Sequence, residues 1–355
     1  MDTLTHALSG ALLARATHRP TQHIPLGTRA WIGALACAFP DSDFVLLGMD
    51  ALFYFNWHRG VTHSLVLLPL WAAAGAWLLH RASRRRWPMG ELFWLLALAI
   101  GLHVLGDLIT AYGTRIWMPL STARVHWDFA FNIDLIMTGI LLAGLLLSWR
   151  YRPVLQARLF SGLLLAYIGL QVLSQQQALR VAETYAEAHL SAPATHLAAL
   201  SQPLSPLNWK LLIEEDGRYH IAYLRLRGRA WSPPAPAWFN AMMGHYRNPE
   251  ALEWQRIRSP GDHPSPLVRE AWEDQALANY RRFAQFPRLY RIDEDGARSC
   301  VWFTDERFVL PELTAPFRYG LCRADEQGPW QLDELPWRLE PEPGRGGNMD
   351  KGPGV

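Results

Sequence analysis

Four runs of mostly apolar residues, at 31–47, 64–80, 92–110 and 131–149, constrain this chain more than any other feature. Lipid cannot hydrogen-bond a backbone, so such runs form helices of about 17 to 25 residues that satisfy their own polar groups. A fifth run, 159–173, is shorter and ends in Gln-rich sequence. Residues 1–16 carry Asp2 and a short apolar run, without the basic start and small-residue cleavage site of a signal peptide. They are read as a retained short helix packed among the others. The expected fold is an α-helical integral membrane domain at 1–176, with about five membrane helices plus the short N-terminal helix. A linker at 177–207, a soluble α+β domain at 208–339 and a disordered tail at 340–355 follow. The alternative, buried helices of a globular core, would need a soluble shell around four such runs.

Mean hydropathy is −0.04, an ordinary soluble value, because it averages two unlike halves. Residues 1–176 hold 13 Arg against 8 acidic residues, and the remainder holds 21 basic against 24 acidic. Arg near the span ends sets orientation. Ten (Arg15, Arg19, Arg29, Arg81, Arg84, Arg85, Arg86, Arg150, Arg152 and Arg158) share one side, against Arg59, Arg115 and Arg124 on the other. The Arg-rich side is therefore expected in the cytoplasm of a bacterial inner membrane. If the fifth run also crosses, the C-terminal domain lies in the periplasm. The net charge of +2, with no basic stripe, argues against a nucleic-acid partner.

In the second half, apolar–polar alternation around Asp216-Gly217, Asp295-Gly296 and Gln327-Gly328 predicts hairpins at 209–226, 289–304 and 319–335. Helical stretches are expected near 237–257 and 266–286. Three Cys are too few for a disulfide scaffold, but Cys300 and Cys322 fall on different hairpins, and an outside location would permit a bond between them.

Charged and imidazole side chains inside a span are costly, so they raise a functional question by default. His103 and Asp107, four residues apart, share one helical face and form a usable pair of metal ligands; a plain His–carboxylate hydrogen bond is the alternative. Asp41 and Asp43 follow Pro40 at a bend, where they could bind a hard cation or simply cap a helix. His58 and His63 flank Gly60, which gives the chain freedom to turn and bring them together. His6 lies on the short first helix. Asp128 suits a helix start, whereas Asp134 lies deeper in its run. Cys37 is read as a separate core residue. Asp41, Asp43, His58, His63, His103, Asp107, Asp128 and Asp134 all fall on the outer ends of their runs, and structural accidents would scatter them. Convergent His and Asp without Cys suit Zn, Mn or Fe, and such a site activates water near neutral pH.

These residues resemble the YdjM-like inner-membrane proteins, a family labelled as metal-dependent hydrolases. The resemblance covers roughly residues 1–140: Thr5-His6, the Pro40 to Asp43 segment, the His58 to Ser64 segment H-R-G-V-T-H-S, and His103-Val104-Leu105-Gly106-Asp107. It continues through Tyr112-Gly113-Thr114, Pro119-Leu120-Ser121, Asp128 and Asn132-Ile133-Asp134. The ligand order also looks, more distantly, like that of zinc-dependent phospholipase C and nuclease P1, which implies phosphoester substrates. The N-terminal Trp and the later His and H-x-x-x-E ligands of that group have no counterpart here, which counts against a three-metal site.

The sequence thus points to a membrane-bound hydrolase in which water activated by a divalent metal, Zn foremost, attacks a phosphoester or lipid-linked substrate at the outer face. His6, Asp41, Asp43, His63, His103 and Asp107 are the candidate ligands, with Asp43 and His58 also placed to orient others. Asp134, Arg59 and His58 are the candidate catalytic residues, Asp134 as a base and Arg59 to neutralise developing charge. Membrane lipids are the expected surroundings, and the outer domain's protein partner is unspecified. The competing expectation is a non-enzymatic membrane protein whose structural metal site helps it recruit or regulate a partner.

Overall fold

Proline and aspartate set the helix starts in the first half of the computed structural model, which describes residues 1–48, 51–228, 236–294, 298–325 and 328–335. Asp2 caps α1 (Thr3–Ala16) by accepting from the Thr5 amide. Pro25 precedes α2 (Leu26–Ala38), and Pro88 precedes α5 (Met89–Leu108). Pro69 lies in the first turn of α4 (Leu68–Ala82), and Pro153 opens α7 (Pro153–His189). Between α2 and α4 come a 3-10 segment (Phe39–Gly48), α3 (Ala51–Trp57) and a 3-10 turn (Val61–His63). Asp134 caps α6 (Leu135–Arg150).

Among the described residues two helices, α5 and α7, are long and apolar enough to cross a membrane, where about five were expected. A third is possible if α3 and the 3-10 turn count with α4 as one broken span, bent by 72°. The breaks have local causes. Pro40 carries no amide hydrogen, so the 31–47 run leaves α-helical geometry after the 13 residues of α2, about 20 Å of rise. Asp134 starts α6, the helix of the 131–149 run, late and leaves it 16 residues. The fifth run lies inside the 37-residue α7.

Helices α1 and α2 approach closely because Gly10 faces Gly33: a Cβ on Gly10 would stand 2.2 Å from the Gly33 carbonyl oxygen. One buried cluster runs from Leu12, Met137 and Leu141 through Ala157 and Ala178 to Trp209, Leu211 and Ile213. The α7 helix therefore carries the core into the strands that follow. Residues 177–207, expected as a linker, hold the end of α7, β1 (His196–Gln202) and the start of β2 (Ser205–Glu215).

The chain divides into two compact units. The first comprises Met1–Glu215, His220–Arg227 and Asn248–Gln255; the second comprises Asp216–Tyr219, Gly228–Arg247 and Arg256–Val355. In the first, β1 pairs antiparallel with β2, which neighbours β3 (Arg218–Arg225). Asp216 and Gly217, both at positive φ, make the expected turn between β2 and β3. Glu215 ends β2 and accepts from the amides of Ala192 and Ser191 and from the Ser191 hydroxyl, which pull its carboxyl down to about 2.

Beyond β3 come α8 (Ala237–Gly244), β4 (Gln255–Arg258), α9 (Pro266–Glu273) and α10 (Ala278–Phe283). The long helix expected over 237–257 is only the short α8, followed by a 3-10 turn and β4. The second sheet is ordered β5 (Pro287–Glu294), β6 (Ser299–Asp305), β7 (Tyr319–Arg323) and β8 (Gln331–Glu334), antiparallel throughout. Its strands match the second and third hairpins; Asp295, Gly296, Gln327 and the tail from Glu340 lie outside the described residues. Cys300 and Cys322 stand opposite each other on β6 and β7, Cα atoms 4.1 Å apart, and form a disulfide.

Candidate metal centre

Four-residue spacing on α5 puts His103 and Asp107 on one face at the end of the helix remote from the Arg-rich loop, and both are fully buried. The 3-10 segment after α2 brings in Asp41, and the turn Val61–His63 brings in His63. Asp107 Oδ2 lies 3.2 Å from His63 Nε2 and 3.3 Å from His103 Nε2. Asp41 Oδ1 lies 3.6 Å from His63 Nε2 and 3.5 Å from His103 Nε2. Donors about 2.0 to 2.1 Å from a tetrahedral ion are about 3.3 Å apart, so these separations fit one divalent cation. All four donor atoms lie within 4.8 Å of one another.

The tautomers make the arrangement more telling. His103 Nδ1–H donates to the Cys37 carbonyl at 2.6 Å, leaving a lone pair on Nε2. His63 Nδ1–H donates to Thr62 Oγ1 at 2.9 Å, and that hydroxyl passes its own proton toward Asp43 Oδ2. The Nε2 atoms of His63 and His103 and Oδ2 of Asp107 are buried with no hydrogen-bond partner. With both imidazoles neutral, acceptors face acceptors, an arrangement that a bound cation resolves.

The remaining oxygens are held by other groups. Asp41 Oδ2 accepts from Thr3 Oγ1 at 2.7 Å. Asp107 Oδ1 accepts from Arg59 at 3.0 Å, from His6 Nε2 at 3.1 Å and from the Met1 amino group at 2.5 Å. Arg59 sits at φ 59°, is buried, donates to Thr110 Oγ1 at 2.9 Å and covers the Tyr112 ring. Its guanidinium is thus committed to Asp107. Gly60, next in the chain, permits the turn because a Cβ there would meet the Trp57 carbonyl oxygen at 2.6 Å.

The candidate residues therefore separate. Asp41, His63, His103 and Asp107 converge. His6 stacks on His103 at 3.7 Å and presents its Nε2 proton to Asp107 rather than a lone pair. Asp43 accepts from His58 Nδ1 at 2.8 Å and from the Arg59 amide at 3.1 Å, so it orients the loop. Asp134 lies elsewhere: Oδ1 caps α6, and Oδ2 accepts from Tyr167 and Gln171 at 2.8 Å each. Asp128 pairs with His126 at 2.7 Å. Cys37, read as separate, contributes the carbonyl that fixes His103 and forms a second close group with His6 and His103. Sequence gave no signal for that backbone contact, although Thr62 stood inside the H-R-G-V-T-H-S motif.

A cavity of about 390 Å³ opens beside Asp41, with Thr3, Ser42, Phe44, Tyr54 and His58 also in its wall. The sequence profile described as YdjM inner membrane protein matches residues 1–178, half of the 355-residue chain. The chain belongs to the YdjM inner membrane protein family. The YdjM match ends inside α7, so it takes in all four converging donors and none of the strands. The uncharacterized protein YfhP of Bacillus subtilis (strain 168) is similar, 34% identical over 155 residues, 41% of this chain and 47% of that protein. The chain thus spans about half the length of that relative. No solved structure matches the chain.

Proposed function

We propose that this YdjM family member is a membrane-bound metal-dependent hydrolase acting on a phosphoester or lipid-linked substrate at the outer face of the inner membrane. The observation that carries the reading is the set of buried, unpartnered acceptors on His63, His103 and Asp107 facing Asp41 beside an open cavity. Two imidazoles and two carboxylates would hold Zn, with Mn or Fe as alternatives. A bound divalent ion supplies Lewis acidity and brings the pKa of water near neutrality.

The chain's own groups account for the rest. His58 gives Nδ1–H to Asp43 and lines the cavity, so its Nε2 is the nitrogen left to take up a proton or pass one to a leaving group. Arg59 and His6 hold the second oxygen of Asp107 and fix the direction of the first. Phe44, 63% exposed, gives the cavity an apolar wall that suits an acyl chain, and Val45 beside it in the chain is 65% exposed. An outer-face location is supported by the Arg asymmetry of the loops and by the Cys300–Cys322 bond, which favours an oxidising compartment for the C-terminal domain.

A second reading has its own support: four protein donors already complete a tetrahedron, as in structural zinc sites. The metal would then brace the helix ends, and the C-terminal domain would recruit a partner. Cobalt-substituted protein separates the two. The hydrolase reading expects visible absorption bands that shift on adding inorganic phosphate, and phosphodiester turnover that is lost in His103→Ala and Asp107→Ala. Unshifted bands without turnover would establish the structural role instead.

A further inference from the structure

We propose that the loop between α4 and α5 is a binding site for the phosphate headgroup of an anionic phospholipid. Four arginines, Arg81, Arg84, Arg85 and Arg86, fall within six residues there, and Arg84 and Arg86 line one cavity. From residue 51 to 106 the chain has one acidic residue, Glu91, and Glu91 is occupied by Arg29 and by the amides of His23 and Ile24. Among the described residues no carboxylate pairs with any of the four arginines.

The backbone of this loop is closed without help from those side chains. The Arg85 amide donates to the His80 carbonyl at 2.8 Å, His80 Nδ1–H donates to the Trp87 carbonyl at 2.7 Å, and Ser83 Oγ donates to the His80 carbonyl at 2.9 Å. Arg84 and Arg85 occupy the left-handed region at φ 54° and 65°, where glycine or asparagine is the low-strain choice. Arginine at two successive strained positions gives the turn nothing that glycine would not, so the cations themselves have a use. Beside them Ala82, Ser83, Arg84, Arg86 and Trp87 line a cavity of about 300 Å³, with room for a phosphodiester.

The occupant follows from where the loop sits. It joins α4, half of the bent candidate span, to α5, a full-length apolar helix, so it lies at the level of lipid headgroups. The Trp87 indole beside Arg84 and Arg86, which no carboxylate pairs among the described residues, matches that layer, apolar on one side and anionic on the other. The metal centre is remote: Met89 to His103 along α5 is about 21 Å, so this site is independent of the proposed hydrolase reading.

The test uses the full chain in bilayer discs of phosphatidylcholine doped with phosphatidylglycerol, with native mass spectrometry counting the lipid retained. Each juxtamembrane arginine is worth about fivefold, so Arg84→Gln with Arg86→Gln should weaken phosphatidylglycerol retention about thirtyfold. The equal-charge control Arg150→Gln with Arg152→Gln should keep the bound lipid. Equal loss in both double variants would mean diffuse surface charge and overturn the site. So would equal retention of phosphatidylcholine. Displacement of the lipid by an equal concentration of inorganic phosphate would overturn the lipid assignment in favour of a free anion. Unchanged metal content in the variants serves as the folding control.

Discussion

His103 and Cys37 are joined across two helices, the imidazole Nδ1–H donating to the Cys37 carbonyl at 2.6 Å. Cys37 lies in the last turn of α2, and the bond turns Nε2 toward Asp41 and Asp107. One contact thus ties α5 to the end of α2 and aims a candidate ligand. Substituting His103→Ala removes the tie and the candidate ligand together, and Asp107→Ala removes the carboxylate that faces both imidazoles. Either variant, purified in detergent, should retain less than about a tenth of the wild-type metal by elemental mass spectrometry, because each removes a direct donor.

Arg59 and Asp107 form a buried ion pair at 3.0 Å. Arg59→Met leaves Asp107 without its guanidinium and should cost about 3 to 5 kcal/mol of stability. Arg59→Lys keeps the charge but lacks the planar fork that reaches both Asp107 and Thr110, so it should fall between the two. Denaturant titration in detergent checks the order.

Gly106 and Gly90 lie on the same helix with different surroundings. A Cβ on Gly106 would come 3.1 Å from His6 Cε1, whereas one on Gly90 meets no atom within 4 Å. Gly106→Ala should displace the His6 ring from Asp107 and weaken metal binding about tenfold, the scale of an outer-shell loss. Gly90→Ala should leave affinity unchanged. Competition with a coloured chelator gives both values.

The chain has three cysteines, and Cys300 is bonded to Cys322. Unreduced, denatured protein should therefore show one reactive thiol, Cys37, and reduced protein three. Cys300→Ser with Cys322→Ser should destabilise the C-terminal unit by about 2 to 4 kcal/mol. Thiol titration and thermal melting test the two parts.

Glu215 gives the first sheet a pH dependence. Its carboxyl is held at about 2, below the ordinary value of 4.5, so its anion is stabilised by folding. That contribution is complete above pH 4.5 and is lost as pH falls toward 2. Glu215→Gln should be less stable than wild type at pH 7 and converge with it at the acid end. Amide exchange at Ser191 and Ala192 reports the difference locally.

The four converging donors stood out in the sequence because imidazole and carboxylate are expensive in apolar runs, and because H-x-x-x-D fixes a shared helical face. Asp43 was harder to place: two residues from Asp41, it turns to His58 and Arg59 instead of joining the four. The role of the Cys37 carbonyl had no sequence signal, since every residue carries that group. Hydropathy found the apolar runs but not how short their helices are: the bend read at Pro40 diverts one run into 3-10 geometry, and capping by Asp134 shortens another. In the second half, turn chemistry marked the first hairpin well, because Asp216-Gly217 at positive φ is a local property, whereas the helix expected near 237–257 ends at Gly244 and gives way to a 3-10 turn and β4.

Of the four donors, His63, His103 and Asp107 have no solvent-exposed surface, while the Asp41 side chain keeps 13%. For a cation held among the four, as proposed, Asp41 would therefore be the point of entry and exit. An ion entering or leaving the folded protein breaks and remakes its bond to that carboxylate first, so loading should be slow and governed by a single hinge-like oxygen, and Asp41→Asn should speed exchange more than it alters which ion is held.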